Sequence, residues 1–413
     1  MTKLIGDFHI HSRFARACSK QITLDKLEYY AKIKGLNIVG TGDFQHPRWF
    51  SEINDNLTED ENGILWSKNK FPFIWQTEIS LMYSHNGRGR RVHYLVFAPG
   101  KDIANQVIEF LSKKGRLDYD GRPIFGISSV EFVESLVEIS KDIEVIPAHA
   151  WTPFFGILGS KSGYDSVEEC FEDKSKFIHA IETGMSSDPT MNWRLSKLDK
   201  YNLVSFSDMH SFWPWRFGRE ATIFDCDLTY KGIINAIRTG KGLSGTIETV
   251  PAYGRYHYDG HRACGASLAP EETRKLNGIC KVCKKPLTLG VEYRVEELAD
   301  RPKEFIKKDA PESFNLIPLS ELIAAVYDIK MLSSKNVWEI YNNLIKNFGN
   351  EYNILLNINY EELVKVIDKR LANVIIKNRE RQLNIQAGYD GVYGKIVLDK
   401  EDVIARQKNI SEF

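Results

Sequence analysis

The chain has 413 residues, 43% hydrophobic and 27% charged, so it can bury real cores and is not a disordered chain. At about 100–200 residues per domain, that length predicts two or three domains. Lysine plus arginine (55) equals aspartate plus glutamate (55). The balance excludes a histone-like binder that holds nucleic acid by bulk charge, but not one that uses local patches or bound metal. No apolar run approaches the ~18 residues a membrane span needs, and the N-terminus does not read as a signal peptide. A soluble, cytoplasmic protein with no membrane partner is expected.

Residues 4–11 read as a strand. Thr23 caps a helix over Leu24–Lys34, which Gly35 stops. Residues 36–44 form the next strand, and residues 73–82 and 91–97 two more around a polar turn at 85–90. Helices are predicted over 103–111 and 130–139, the second opened by Ser128 or Ser129. Strands follow at 143–149, 177–182 and 203–209. Strands spaced by helices predict an α/β fold of parallel units in a barrel-like or doubly wound sheet. Near residue 250 the character changes. Residues 251–301 are rich in Gly, Cys, His and turn residues. From about Pro302 the chain reads as helical, most clearly over 361–377, where Leu363, Ile367, Leu371 and Val374 share a face. Residues 385–398 return to strand-like alternation around Gly388, Gly391 and Gly394. Three units are predicted: a catalytic domain over 1–250, a small module over 251–303 and a mainly helical domain over 304–413.

Asp7 to Ser12 reads D-F-H-I-H-S. Two residues apart on a strand, His9 and His11 project to one face, where two neutral imidazoles can chelate one divalent ion. His149 and the pair Asp208/His210 end later strands, Asp43 ends the second, Glu78 lies in the third and His93 starts the fourth. In a parallel barrel the carboxyl ends of strands converge on one face, where sites are built. Five of the ten histidines occupy such positions.

This arrangement resembles the polymerase-and-histidinol-phosphatase (PHP) superfamily. The resemblance implies a distorted (β/α)7 barrel with up to three divalent ions (Zn, Mg or Mn). One ion would take His9, His11, Glu78 and Asp208. A second would share Glu78 and add His93 and His149. A third would use Asp43 and His210. All eight residues would then be catalytic. The chain departs from many relatives in carrying Asp43 where they have His. It also has Ala17, Cys18 and Ser19 where they have a further His. Paired divalent metals acidify a shared water and clamp the attacking and leaving oxygens of an in-line displacement, so phosphoester hydrolysis is the expected reaction.

His261-x2-Cys264 and Cys280-x2-Cys283 have the spacing of a closed structural zinc site, with His257 as an alternative fourth ligand. The segments HIHSRFARACSK, GTGDFQHPRWF, SDMHSFWPWRFGREAT, GHRACG and AGYDGVYG are similar to those of the endonuclease Q family of DNA-repair enzymes. The similarity runs from His9 to Gly394. It implies cleavage of damaged DNA, double- or single-stranded, 5′ to deaminated bases (uracil, hypoxanthine, xanthine) and abasic sites, in a prokaryotic nucleoid. A base pocket is expected in the loop after His149, with Trp151, Phe154 and Phe155 for stacking and 159–163 for backbone donors. Arg13, Arg16, Arg216 and Arg219 flank the metal motifs and suit DNA phosphates. Trp213 and Trp215 suit stacking or wedging, Arg88, Arg90 and Arg91 form a basic hairpin tip, and 357–382 looks like a backbone-binding helical hairpin. Gln407, Ile410 and Phe413 resemble part of a sliding-clamp-binding peptide. The alternatives are a small-molecule phosphoesterase of the superfamily, which would not need some 160 further residues, and a non-catalytic DNA-damage binding protein, which would not need a full ligand set.

Overall fold

A computed structural model describes residues 3–399 and 402–403. The segment containing Gln407, Ile410 and Phe413 lies outside the described residues. The architecture is mixed α/β with one large sheet of eight strands. Leu4–Asp7 pairs in parallel with Ile38–Gly40, which pairs in parallel with Pro72–Ile74. On its other side Leu4–Asp7 runs antiparallel to Ala221–Phe224, and that strand antiparallel to Leu243–Glu248. A second sheet is built on the hairpin Gln76–His85 and Arg88–Phe97, with Glu144–Pro147 antiparallel to its second arm. Ala180–Glu182 and Asn202–Val204 form a parallel pair. The uniform parallelism expected from the strand–helix alternation is therefore broken. At Asn86–Gly87 both residues hold positive φ (50° and 73°), a tight turn that can only return the chain antiparallel.

Most of these strands send apolar side chains, at or just past their ends, into one shared plug: Phe8, Ile38, Ile74, Leu95, Phe97, Ile146, Ala180, Val204 and Phe224. Polar residues stand one or two positions away. His9 follows Phe8, His149 follows Ala148, Glu182 lies two beyond Ala180 and Asp208 two beyond Phe206. Packing the plug thus stacks the polar residues in a second layer above it. Helices cover the outside. Lys101–Lys114 and Ser129–Ile139 bury Ala104, Val107 and Leu111, and Phe132, Val133 and Leu136. Ser128 caps the second through its hydroxyl.

The C-terminal helices Leu319–Val326, Lys335–Phe348, Glu351–Leu356 and Lys369–Arg379 share a hydrophobic core with the helix Leu24–Lys34. The helix expected over 361–377 is two pieces, Tyr360–Leu363 and Lys369–Arg379. Asp368 breaks it, accepting from the Arg370 amide at 2.8 Å as a new N-cap. Trp213 and Trp215 are half-buried and engaged in packing. They stack on each other at 5.0 Å, and Trp213 lies 5.0 Å from Trp338 of the C-terminal helices. Arg90 likewise leaves the hairpin tip and lies buried 3.8 Å over the Tyr164 ring.

Lys34 ties the first helix to the C-terminal ones. Its Nζ donates to Glu351 at 2.7 Å and to the Pro214 carbonyl at 2.8 Å. Glu351 also accepts from the Leu319 amide and the Tyr341 hydroxyl. Both charges are buried, so removing one strands the other, a cost of about 3–5 kcal/mol. Glu351→Ala should lose that much in chemical denaturation, and Lys34→Met/Glu351→Leu much less. Equal losses would mean the pair is not the fastening.

Candidate metal centre and adjoining cavity

Glu78 lies at the centre of the polar layer, fully buried. Its Oε1 faces His93 Nδ1 at 2.8 Å, His149 Nε2 at 3.2 Å and His9 Nε2 at 3.4 Å. Its Oε2 faces His11 Nε2 at 3.1 Å. Asp208 Oδ1 lies 3.4 Å from His9 Nε2 and 3.3 Å from His11 Nε2. Donor atoms of His9, His11, Glu78 and Asp208 fall within 4.8 Å of one another, as do those of Glu78, His93 and His149. The two groups share Glu78. His9 Nε2, His11 Nε2 and Asp208 Oδ1 are buried without a hydrogen-bond partner. Atoms orphaned this way, all donors to the same small volume, fit divalent ions.

The electrostatics agree. Burial works to raise the Glu78 carboxyl, but His93, Arg122 and His9 outweigh it and hold it well below the ordinary range. Burial works to lower His9, yet Glu182, Glu78 and Asp208 hold it well above its usual value, and His11 behaves alike beside Asp43. Burial prevails at His93, which is pushed down to about 3. Carboxylates thus surround His9 and His11 as they would surround a bound cation.

A further set of residues aims these ligands. Glu182 accepts from His9 Nδ1 at 2.9 and 3.0 Å and from the His149 amide at 2.5 Å. His149 Nδ1 donates to the Thr152 hydroxyl at 2.9 Å. Gly184, at φ +72°, lies where a Cβ would come within 2.8 Å of His149 Cα. The motif reading missed Glu182 and Thr152. A lone carboxylate ending the apolar strand Ala180–Glu182 is the one signal that could have pointed to Glu182. Arg122, also missed, donates to Glu78 Oε2 at 2.9 Å.

Asp43 stands elsewhere than expected. Its Oδ1 accepts from His11 Nδ1 at 2.9 Å, and its Oδ2 accepts from the Ser12 amide and hydroxyl, each at 2.6 Å. With both oxygens taken, it orients His11 and joins no ligand group. His210 stacks edgewise 4.9 Å from His11, with Nδ1 turned 3.0 Å from the Asp208 carbonyl. Asp43 and His210 are therefore not brought together as a third group among the described residues. The loop after His149 also differs. Trp151 is buried and donates to Asn192 at 2.7 Å, and Phe155 stacks on His93 at 4.3 Å. The Gly159 and Gly163 amides are spent within the loop, on Gly156 and Gly159 carbonyls. Of the three aromatics only Phe154 is exposed.

A cavity of about 360 Å³ opens beside the centre, lined by His149, Asp208, Gly184, Ser186, Arg219, Glu220, Tyr256 and Tyr393 among others. Arg216 and Arg219, expected on the metal face, line it. Arg216 lies 4.8 Å and Arg255 5.3 Å over the Tyr393 ring, and Arg219 donates to the Tyr393 hydroxyl at 3.4 Å. Arg255 and Tyr393 were not foreseen, because they lie far along the chain from the metal motifs. Burial raises the Glu220 carboxyl to about 8. Arg13 instead donates to Glu52 at 2.5 Å, while Arg16 remains exposed near Asp120. In the module, His261 Nδ1 lies 3.1 Å from Cys264 Sγ and 3.3 Å from Cys283 Sγ, and Cys280 completes the group. His257 is outside it.

Replacing Glu182 by Gln removes one of the two oxygens that His9 Nδ1 and the His149 amide share. Glu182→Gln should weaken divalent-ion binding about 10–100-fold, read by metal titration of the apoprotein. An unchanged affinity would show that Glu182 does not aim the ligands.

A family model described as MJ0043 C-terminal domain matches residues 318–382. The chain is 30% identical over 317 residues to protein MJ0043 of Methanocaldococcus jannaschii, covering 74% of this chain but only 38% of that longer protein. The crystal structure of the lesion-specific endonuclease PfuEndoQ from Pyrococcus furiosus superposes with a TM-score of 0.85 at 30% identity, covering 100% of this chain and 99% of that one. An endonuclease Q complex with a 27-mer duplex carrying an abasic lesion superposes with a TM-score of 0.88 at 30% identity, covering 99% and 100%. With both chains matched almost end to end and the two Glu78-centred ligand groups in place, this chain belongs to the endonuclease Q family.

Proposed function

We propose that this protein is a metal-dependent endonuclease that hydrolyses DNA 5′ to deaminated bases and abasic sites. The observation that carries the reading is the pair of ligand groups sharing Glu78, set at the wall of a 360 Å³ cavity that arginines flank. The sheets around the apolar plug are then a distorted (β/α)7 barrel, and residues 1–250 the catalytic domain. Residues 251–303 are a zinc-binding module held by His261, Cys264, Cys280 and Cys283. Residues 304–413 are a mainly helical DNA-binding domain.

His9, His11, Glu78 and Asp208 would hold one ion, and Glu78, His93 and His149 a second, from the Zn, Mg or Mn that such donors accept. Bound divalent ions supply a water of lowered pKa and neutralise phosphate charge. The water oxygen joins phosphorus as the bond from phosphorus to O3′ breaks. A proton passes to O3′, leaving a 3′-hydroxyl and a 5′-phosphate. Glu182 and Asp43 keep His9 and His11 in the tautomers that present Nε2 to the centre. Asp208 stays partly open to the cavity, where the backbone of a flipped nucleotide would enter. The cavity wall mixes donors (Arg219, Ser186) with Glu220, which can donate when protonated and accept otherwise. A lactam edge of uracil or hypoxanthine offers one carbonyl and one N–H, the complement of such a wall. The Arg216, Arg219 and Arg255 group gives local positive charge to a neutral chain.

End-labelled duplexes with one uracil, one hypoxanthine, one abasic site or no lesion should be nicked only at the lesion, and only with added Mg or Mn. Asp208→Asn should lower the rate at least about 100-fold without unfolding the chain. Nicking of intact duplex, or turnover of phosphate monoesters alone, would overturn the reading. Cys280→Ser should release one zinc per chain and lower the melting temperature, since a loop-rich module folds on its metal. An unchanged zinc content would remove the assignment.

A further inference from the structure

Arg122 reaches the metal centre from a short loop before Ile124–Phe125. The loop is fastened on every side. Asp120 Oδ1 accepts from the Arg16 amide at 3.0 Å and the Arg122 amide at 3.1 Å. The Gly121 amide donates to the Phe14 carbonyl at 3.2 Å, and its carbonyl accepts from Gln45 Nε2 at 2.5 Å. The Pro123 carbonyl accepts from the Ser80 amide at 3.1 Å. A Cβ at Gly121 would collide with Asp43 Oδ2 and the Ala15 amide, so the loop lies flat against the turn after the first strand. The guanidinium is therefore delivered by a rigid support.

Nη1 donates to Glu78 Oε2 at 2.9 Å. Glu78 is the one side chain hydrogen-bonded to this guanidinium among the described residues. Most of its five N–H groups remain for another acceptor, and the side chain stays 25% exposed. Asp208 and His210 both feel its charge. Nearby, the oxygens of Asp43 are spent on His11 and Ser12, and no third ligand group forms among the described residues.

We propose that Arg122 is a catalytic residue standing in for a third metal ion, its free N–H groups holding a non-bridging oxygen of the scissile phosphate. A planar guanidinium matches two phosphate oxygens, and its charge needs no ligands of its own. One N–H stays on Glu78 and fixes the fork's direction. The inference rests on the endonuclease reading above.

The test combines ion counting with kinetics on the full-length protein. After manganese loading and dialysis, elemental analysis should find two ions in the centre beside one zinc, in the unaltered chain and in Arg122→Gln alike. At saturating manganese, Arg122→Gln should lower the single-turnover nicking rate about 100-fold or more while DNA affinity changes little. Arg122→Lys, which keeps the charge, should recover part of that rate, and added guanidinium should restore part of it to Arg122→Ala. Loss of bound manganese in Arg122→Gln together with the rate would instead mark Arg122 as a structural partner of Glu78 and overturn the proposal. A third ion in the centre of the unaltered chain overturns the proposal, as does an Arg122→Gln rate within threefold of the unaltered one. If the unaltered chain nicks no lesion duplex, the functional reading falls and this inference with it.

Discussion

The structure turns on one buried carboxylate that faces four imidazoles and a guanidinium. Placing Glu78 in a water-free layer is costly unless its charge is met, and it is met from every side by His9, His11, His93, His149 and Arg122. His9 and His11 follow the first strand, His93 lies within Arg88–Phe97, His149 follows Glu144–Pro147 and Arg122 comes from a loop. They meet only because the apolar plug below holds the strands at fixed heights. The backbone departs from ordinary conformation at the same level: Asp43, His149 and Asp208 take φ of 40°, 31° and 46°. Such left-handed turns cost of order 1–3 kcal/mol each and persist only where surrounding bonds enforce them. Glu182 on the His149 amide and Asp43 on the Ser12 amide are two such bonds.

Around this centre the chain uses carboxylates in two ways. Glu78 and Asp208 point oxygens inward, with Asp208 Oδ1 left without a hydrogen bond. Glu182 and Asp43 spend their oxygens on imidazole Nδ1 and backbone amides. The difference decides which is a candidate ligand and which an aiming device, and it follows from hydrogen-bond accounting.

Charge is handled locally. The chain is neutral as a whole, yet Arg216 and Arg219 from the first 250 residues, Arg255 from the cysteine-rich segment and Tyr393 from near the end meet at one cavity. Besides stacking on Tyr393, Arg216 pairs with Glu321 at 3.4 Å and Arg255 donates to the Gly391 carbonyl at 3.1 Å. Three arginines and the carboxylates Glu182, Asp208 and Glu220 thus line one cavity, and all three stretches of chain are needed to form it. The buried Lys34–Glu351 pair and the Trp213–Trp215–Trp338 stack hold the C-terminal helices against the first 250 residues.

What the sequence determined by itself was the local and periodic part. Thr23, Gly35 and Ser128 mark helix ends through caps that need only neighbouring residues. His9 and His11 share a face because extended chain alternates, although the strand expected over 4–11 ends at Asp7. The His261/Cys264/Cys280/Cys283 spacing closes on itself within one small segment. The union of His9 and His11 with Glu78, His93, His149 and Asp208 could be anticipated through the family resemblance, which supplies the long-range order that spacing lacks. Tertiary structure decided the rest. Whether Asp43 faces an ion or His11 depends on a 2.6 Å contact with Ser12 across two strands. Trp151 and Trp213 look like free aromatics in the chain, yet Trp151 is buried with its indole N–H on Asn192 and the half-buried Trp213 packs on Trp338. Arg122 and Glu182 carry no motif. Their positions follow from strand pairing and loop anchoring, which bring residues more than 40 and 170 apart in sequence, from Glu78 and His9 respectively, within hydrogen-bond reach.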